Sequence, residues 1–291
     1  MASDPPPAGV DLHVHTTASD GSLSPLEVVT RARETGLAAI SITDHDTVDG
    51  VREVLSAGVP ADLKFITGVE LSSTPPDPYR SKGSFHILGY GIDPESPLLQ
   101  EALSSLQLQR ETRNPKMVSR LNDLGVDLTL SEVEAEAGGA VVGRPHMASV
   151  MVRKKQVGSV QEAFDRYLAT GRPAYVEKGR IDFKNAVSLI RAAGGLPVLA
   201  HPVTVGLPPD ELEGLIADMA RQGLVGVEAY YSTHSPEFTR FLLGCAESFG
   251  LLVTGGSDFH GEYKAGINLG VGQGDLHVPF DCYATITAAL L

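Results

Sequence analysis

The chain has 291 residues, a net charge of −13 and 42% hydrophobic residues, enough to bury a sizeable core in one large domain or one and a half. That acidity excludes a broad electrostatic footprint for long duplex nucleic acid, while a few arginines or lysines beside metals leave an anionic substrate open. With only Cys245 and Cys282 the chain excludes a disulfide framework and a CxxC zinc site, which suits a reducing, cytoplasmic compartment; no signal peptide or membrane span is read.

Residues 1–9, rich in proline, read as a flexible tail. In Val10–Gly21, VDLHVHTTASDG, the residues Val10, Leu12 and Val14 alternate with Asp11, His13 and His15, and a period of two puts both histidines on one side of a strand. The following loop carries Asp20 over them. Two imidazoles and a carboxylate suit a first-row metal, although this stretch alone reads equally as a hydrogen-bonded histidine pair. Ser24-Pro25-Leu26-Glu27 then forms a capping box opening a helix to Gly36. LAAISITDHD is a buried parallel strand ending in Asp44, His45 and Asp46, and a short helix follows to Ala57. Lys64–Ser72 is a third strand with Glu70 near its end, and Ser84–Tyr90 a fourth with His86 inside it.

From 97 to 174 helical periodicity takes over, and the segment reads as a helical subdomain inserted into a domain formed by 10–96 and 175–291. The strand-helix rhythm resumes with a helix at 182–194, the strand LPVLAHP with His201, and a helix at 210–223. LVGVEAYYSTH is a strand reaching Glu228 and His234, Ser235-Pro236 starts another helix, and LLVTGGSDFH brings Asp258 and His260 to the end of the last clear strand. Strand-like runs thus repeatedly end in a metal-ligand type. Scattered core histidines would not choose strand ends so regularly, so the pattern points to the C-terminal mouth of a barrel.

The set HxH, TDHD, GVE, an isolated His, LAHP and GGSDFH, in this order over residues 10–291, resembles the PHP family, named for polymerase and histidinol phosphatase domains. The resemblance implies an α/β fold, a distorted seven-stranded (β/α) barrel with a trinuclear metal centre. It implies that His13, His15, Glu70 and Asp258 hold one divalent ion. Glu70, bridging, would hold a second with His86 and His201, and Asp20, His45 and His260 a third. Glu70, Asp258 and His260 are then the expected catalytic residues. Mixed His/Asp/Glu ligation suits Mn, Fe and Zn alike, so two to three such ions are expected without a choice among them.

Within that family, the insertion and the sequences GRPHMA, YVEKG and EAYYSTH resemble the branch acting on nucleotides, and Arg144, Lys178 and His234 match its phosphate-meeting positions. By themselves Arg144 reads as a surface charge or helix-end partner and Lys178 as a solvated loop lysine. His146 is expected to pack against or orient the site, and His277 to be structural or superficial. Asp44 and Asp46 are expected to accept imidazole N–H bonds, with solvation an equal reading for Asp46. The implied reaction is metal-dependent hydrolysis of a phosphate ester, in 3′,5′-bisphosphonucleotides such as pAp, giving AMP and phosphate, or in short 5′-phosphorylated RNA. A histidinol-phosphate or other small-metabolite phosphatase is the second reading; the insertion and Arg144 count against it. The third is a non-catalytic, metal-stapled binding module, whose mark would be lost ligands, and none is lost.

Overall fold

A computed structural model of the chain describes residues 9–81, 83–138, 142–177 and 179–291, so all of the expected tail at 1–9 except Gly9, and Lys178, lie outside the described residues. The strand β1 (Val10–Val14) is followed by α1 (Pro25–Glu34), β2 (Ala39–Ile42), α2 (Asp49–Ala57), β3 (Lys64–Thr74) and β4 (His86–Tyr90). The helices α3 (Pro97–Asp123), α4 (Leu130–Ala137), α5 (Arg144–Arg153) and α6 (Val160–Ala163) come next, the last continuing into a π-turn at Phe164–Leu168. After the short β5 (Ile181–Asp182) come α7 (Phe183–Ala192), β6 (Leu196–Leu199), α8 (Pro209–Arg221), β7 (Gly226–Tyr231), α9 (Pro236–Phe249), β8 (Leu252–Gly256) and α10 (Phe280–Ala289).

Seven strands pair in the order β1-β2-β3-β4-β6-β7-β8, with β5 attached to β3. The turn after β8 nearly closes this sheet into a barrel: Asp258 N donates to His13 O and His15 N to Phe259 O, both at 2.9 Å. Pairing is parallel except on either side of β4. Among the described residues between β3 and β4 there is no crossover helix, and a strand returning without one must run antiparallel. His86 therefore opens its strand instead of lying inside or ending it. The reversed direction brings that first residue to the mouth where the neighbouring strands finish.

The expected capping box is formed, with Glu27 N donating to Ser24 Oγ (3.3 Å) and Ser24 N to Glu27 Oε2 (2.8 Å). Ser235 likewise caps α9, its Oγ accepting from Phe238 N at 3.2 Å. Two elements escape the sequence reading. A two-residue β5 shows no periodicity, and α10, FDCYATITAA, has no side-chain cap at its start. Yet Cys282 and Ile286 of α10 seal an apolar cluster with Leu12, Ile66, Leu88, Tyr90 and Val198, each fully buried aliphatic worth ~1.5–3 kcal/mol.

The long α3 serves two cores. Leu99 and Leu103 pack with α7, α8 and α9 against the barrel, whereas Met117, Val118 and Leu121 join α4, α5 and α6 in a separate apolar cluster. Between them, α3 carries Arg110 and Arg113 across the barrel mouth, both buried. No helix among the described residues is long and apolar enough to cross a membrane.

Candidate metal centre

Nine side chains meet at the mouth: His13 and His15 from β1 and its end, Asp20 and His45 from the next two loops, Glu70 of β3, His86 of β4, His201 beyond β6, and Asp258 and His260 beyond β8. His13 Nε2 and His15 Nε2 lie 3.1 Å apart, with Asp258 Oδ1 at 3.7 and 3.4 Å and Glu70 Oε2 at 3.5 and 3.2 Å. Glu70 Oε1 is 2.7 Å from His86 Nδ1 and 2.8 Å from His201 Nε2, which are 3.3 Å from each other. Asp20 faces His260 Nε2 at 3.4 Å and His45 Nε2 at 4.0 Å, and His15 Nδ1 joins this group at 3.5 Å. All three groups expected from the sequence come together, with His15 shared between two of them.

The donor chemistry fits divalent ions. Glu70 Oε2 and His45 Nδ1 are 2.8 Å apart and buried, yet neither makes an aligned hydrogen bond, as for atoms aimed at a common point instead of at one another. Burial opposes ionisation of Glu70, but His45, His86 and His13 hold its carboxyl well below the usual range. Burial likewise opposes a charge on His15, but Asp258 and Glu70 prevail and raise it to about 10. Such a nest of buried carboxylates and imidazoles requires cations, and imidazole with carboxylate suits first-row ions. Two of its members sit in left-handed backbone, His201 at φ +26° and Asp258 at φ +57°. Strain of ~1–3 kcal/mol at each is characteristic of functional positions. Gly256 permits the arrangement, because a Cβ there would collide with the His13 backbone and side chain.

The groups that orient the imidazoles differ from those expected. Asp44 accepts from Thr16 N (2.8 Å), Thr16 Oγ1 (2.7 Å) and Ser19 Oγ (2.6 Å), so it ties down the loop that carries Asp20. Asp46 is buried, not solvated, and accepts from Ser72 N (2.8 Å), Ser72 Oγ (2.7 Å) and Arg110, anchoring α3 to the mouth. Instead, Glu228 Oε1 lies 2.9 Å from His13 Nδ1 while its Oε2 accepts from His201 N at 2.6 Å. His201 Nδ1 rests on Thr204 Oγ1 (2.7 Å), and His260 Nδ1 donates to Asp258 O (2.9 Å). Each such bond fixes a tautomer and turns the other nitrogen into the cluster. Tyr231 Oη (2.7 Å) and Lys264 both donate to Asp258 Oδ2, which leaves Oδ1 to the histidines.

A cavity of about 560 Å³ opens above the cluster, within the ~300–1,000 Å³ usual for a drug-sized ligand. Its walls include Arg110, Arg113, Arg144, Phe164, Tyr263 and Lys264 beside the candidate ligands. The Arg144 guanidinium lies 5.5 Å from the ring centres of both Phe164 and Tyr175, and its Nη1 donates to Leu168 O at 3.1 Å. His146 accepts from Gly143 N at 2.9 Å and so caps α5, its ring edge-on to Tyr263. His234 is not brought to this cavity: its Nδ1 donates to Ala229 O at 2.9 Å and its ring packs on Tyr231 and Phe238. His277 is exposed, as expected. Glu228 was named on its strand but given no role, and Arg110, Arg113 and Lys264 were not singled out. Glu228 was legible, since it interrupts an apolar strand as Glu70 does, and a buried Glu requires partners.

Glu228→Gln keeps the shape of a side chain that holds His13 and His201 at once but removes its charge. It is expected to weaken metal retention by about ten- to a hundredfold, read by competition with a chelator, with little change in overall secondary structure. Retention equal to wild type would reduce Glu228 to a packing residue.

Comparison with known proteins agrees with this geometry. A family model described as the PHP domain matches residues 11–170. The 5′-3′ exoribonuclease of Haemophilus influenzae is 34% identical over 262 residues, 89% of this chain and 93% of that enzyme. The 3′,5′-nucleoside bisphosphate phosphatase of Chromobacterium violaceum is 33% identical over 272 residues, 90% of this chain and 91% of the other. A solved Bifidobacterium adolescentis structure assigned to the metal-dependent phosphoesterases superposes with a TM-score of 0.86 at 29% identity, covering 98% of this chain and 97% of that one. With a barrel whose mouth gathers nine histidine and carboxylate side chains that could hold metal ions, the chain belongs to the PHP domain family and is a metal-dependent phosphoesterase.

Proposed function

We propose that this phosphoesterase acts on nucleotides carrying a second phosphate, chiefly 3′,5′-bisphosphonucleotides, converting pAp to AMP and phosphate, and on short 5′-phosphorylated RNA. The observation that carries the reading is a single cavity with a carboxylate-imidazole cluster and desolvated arginines in its walls, a pairing suited to a substrate with two anionic groups. Relatives named for a nucleoside bisphosphate phosphatase and for a 5′-3′ exoribonuclease support the same substrate class. Two unpaired, buried cysteines are compatible with action in the cytoplasm.

In this proposal two to three divalent ions, Mn, Fe or Zn, are held by the three ligand sets named from the sequence, with Glu70 shared. Such ions lower the pKa of water and neutralise phosphoryl oxygens. The chain's own residues do the rest. Glu70, Asp258 and His260 set charge and orientation at the reacting ester, Tyr231 and Lys264 hold Asp258 in one rotamer, and Arg144 offers a planar guanidinium to the phosphate that is not cleaved. Phe164 and Tyr263 supply apolar surface for a base.

Phosphate release from a panel of pAp, histidinol phosphate and short 5′-phosphorylated RNA tests the substrate class. Turnover of histidinol phosphate above both nucleotides would overturn it. Arg144→Ala is expected to lower kcat/KM for pAp by about ten- to a hundredfold, the range for one charge-assisted contact, and to affect p-nitrophenyl phosphate much less. Equal losses on both would mean that Arg144 serves the reacting phosphate or the fold.

A further inference from the structure

Four cations, Arg110, Arg113, Arg144 and Lys264, stand in the wall of the main cavity. Three of them are engaged away from the ligand cluster: Arg110 by Asp46, Arg113 by the neutral Asn114 Oδ1 at 2.9 Å, and Arg144 by Leu168 O at 3.1 Å. Among the described residues Lys264 is the cation whose charge meets a candidate ligand, through Asp258 Oδ2. Burial opposes ionisation of that carboxyl, and Lys264 leads the charges that outweigh it, ahead of His260 and His13. Asp258 turns its other oxygen, Oδ1, to His13, His15 and His260 at 3.7, 3.4 and 3.3 Å. The ammonium therefore borders the cluster without belonging to it, and its side chain keeps 36% exposure where that of Asp258 keeps 8%. A tight turn places it. The turn Gly261–Tyr263 starts in left-handed backbone at Gly261 (φ +64°), where Ser22 Oγ leaves no room for a Cβ and itself accepts from Glu262 N at 2.9 Å. The lysine stem then crosses Tyr231, with Nζ 5.6 Å from the ring centre. An ammonium has three N–H donors. Asp258 Oδ2 takes one and Tyr231 Oη, at 3.3 Å, a second, while the third has no protein acceptor among the described residues.

We propose that Lys264 is a catalytic residue whose third N–H meets the leaving oxygen of the ester and stabilises the charge that forms there as the bond to phosphorus breaks. Divalent ions act on the attacking water and on the phosphoryl oxygens. The leaving oxygen needs a donor of its own, and one already fixed in place costs no reorganisation at the moment of reaction. In the balanced step for a monoester, water adds to phosphorus and the P–O bond breaks with its electron pair on the leaving oxygen. The proton lost by the water ends on that oxygen, giving an alcohol and inorganic phosphate. Lys264 stays an ammonium throughout, contributing a hydrogen bond and a charge. The assignment needs the phosphoesterase activity alone and holds for any alcohol the natural ester carries.

The test uses the metal-loaded protein and two aryl esters whose leaving groups differ in how well they carry charge, p-nitrophenyl phosphate and phenyl phosphate. A third ester, pAp, has a sugar alkoxide as its leaving group. Lys264→Met keeps most of the stem and removes the charge. It should lower kcat by about a hundredfold on pAp, the range for one donor to a developing oxyanion, by about tenfold on phenyl phosphate, and by less than about threefold on p-nitrophenyl phosphate. Lys264→Arg, which retains a cation, should bring the ratio of the two aryl rates back towards that of wild type. A ratio equal to that of Lys264→Met would overturn the charge argument. Both variants should hold as many ions as wild type by elemental analysis, because Asp258 Oδ1 and the imidazoles keep their places. Equal losses on all three esters, with or without loss of metal, would mean that Lys264 acts through Asp258 alone and would overturn the proposal, as would no loss on any of them. Failure of wild type to turn over pAp would overturn the nucleotide reading, while the two aryl esters still decide the role of Lys264.

Discussion

Glu70→Gln is expected to lower kcat by about a thousandfold or more, a loss of ~4 kcal/mol in transition-state stabilisation, while the protein remains folded. The carboxylate is fully buried and in contact with five imidazoles. Oε1 meets His86 and His201 at 2.7 and 2.8 Å, and Oε2 meets His45, His15 and His13 at 2.8, 3.2 and 3.5 Å. No other side chain of the cluster reaches so many. Glutamine preserves the volume but removes the charge, and it turns one acceptor into an N–H donor aimed where a cation is required. Steady-state kinetics, with circular dichroism as the check on folding, decides the matter. Retention of more than about a tenth of wild-type kcat, a loss under ~1.4 kcal/mol, would show that Glu70 is not the shared ligand.

Removing the metals is expected to abolish hydrolysis and to lower the thermal midpoint together. Three carboxylates, Asp20, Glu70 and Asp258, are confined with six imidazoles, and in the absence of ions their charges are balanced by protonated histidines such as His15 and, at Asp258, by Lys264. Ions that bind the folded cluster and not the unfolded chain stabilise by RT ln(1 + [M]/Kd), ~4 kcal/mol at a thousand times Kd. A strong chelator should remove that contribution, and re-addition of Mn, Fe or Zn should restore both activity and stability. Elemental analysis after metal-supplemented expression should find about two to three ions per chain, the number that filled ligand sets of this chemistry hold. Fewer than one ion per chain would sink the multinuclear assignment.

How far the sequence could be read depended on the range of the interaction concerned. The Ser24 capping box was legible because four consecutive residues contain both of its hydrogen bonds. The candidate ligands were legible for a related reason. A buried strand has few polar residues, so each His, Asp or Glu near its end stands out, and a barrel sends successive strand ends to one mouth. His86 shows the limit of that argument. It does lie with the other candidate side chains, but at the start of an antiparallel strand and not inside one, because direction is set by the missing crossover between β3 and β4 and not by the apolar run itself.

The sequence by itself determined which residues have the chemistry for the centre, since metal-ligand types recurring at strand ends are a local property of the chain. Only the tertiary structure decided what holds and surrounds them. Glu228 reaches His13 across 215 positions, Asp46 turns to Arg110 of a helix 64 positions on, and His234 packs on Phe238 instead of entering the cavity. Hydrogen-bond partners and desolvation depend on what the fold packs against a side chain, and that packing is fixed by long-range contacts after the local elements have formed.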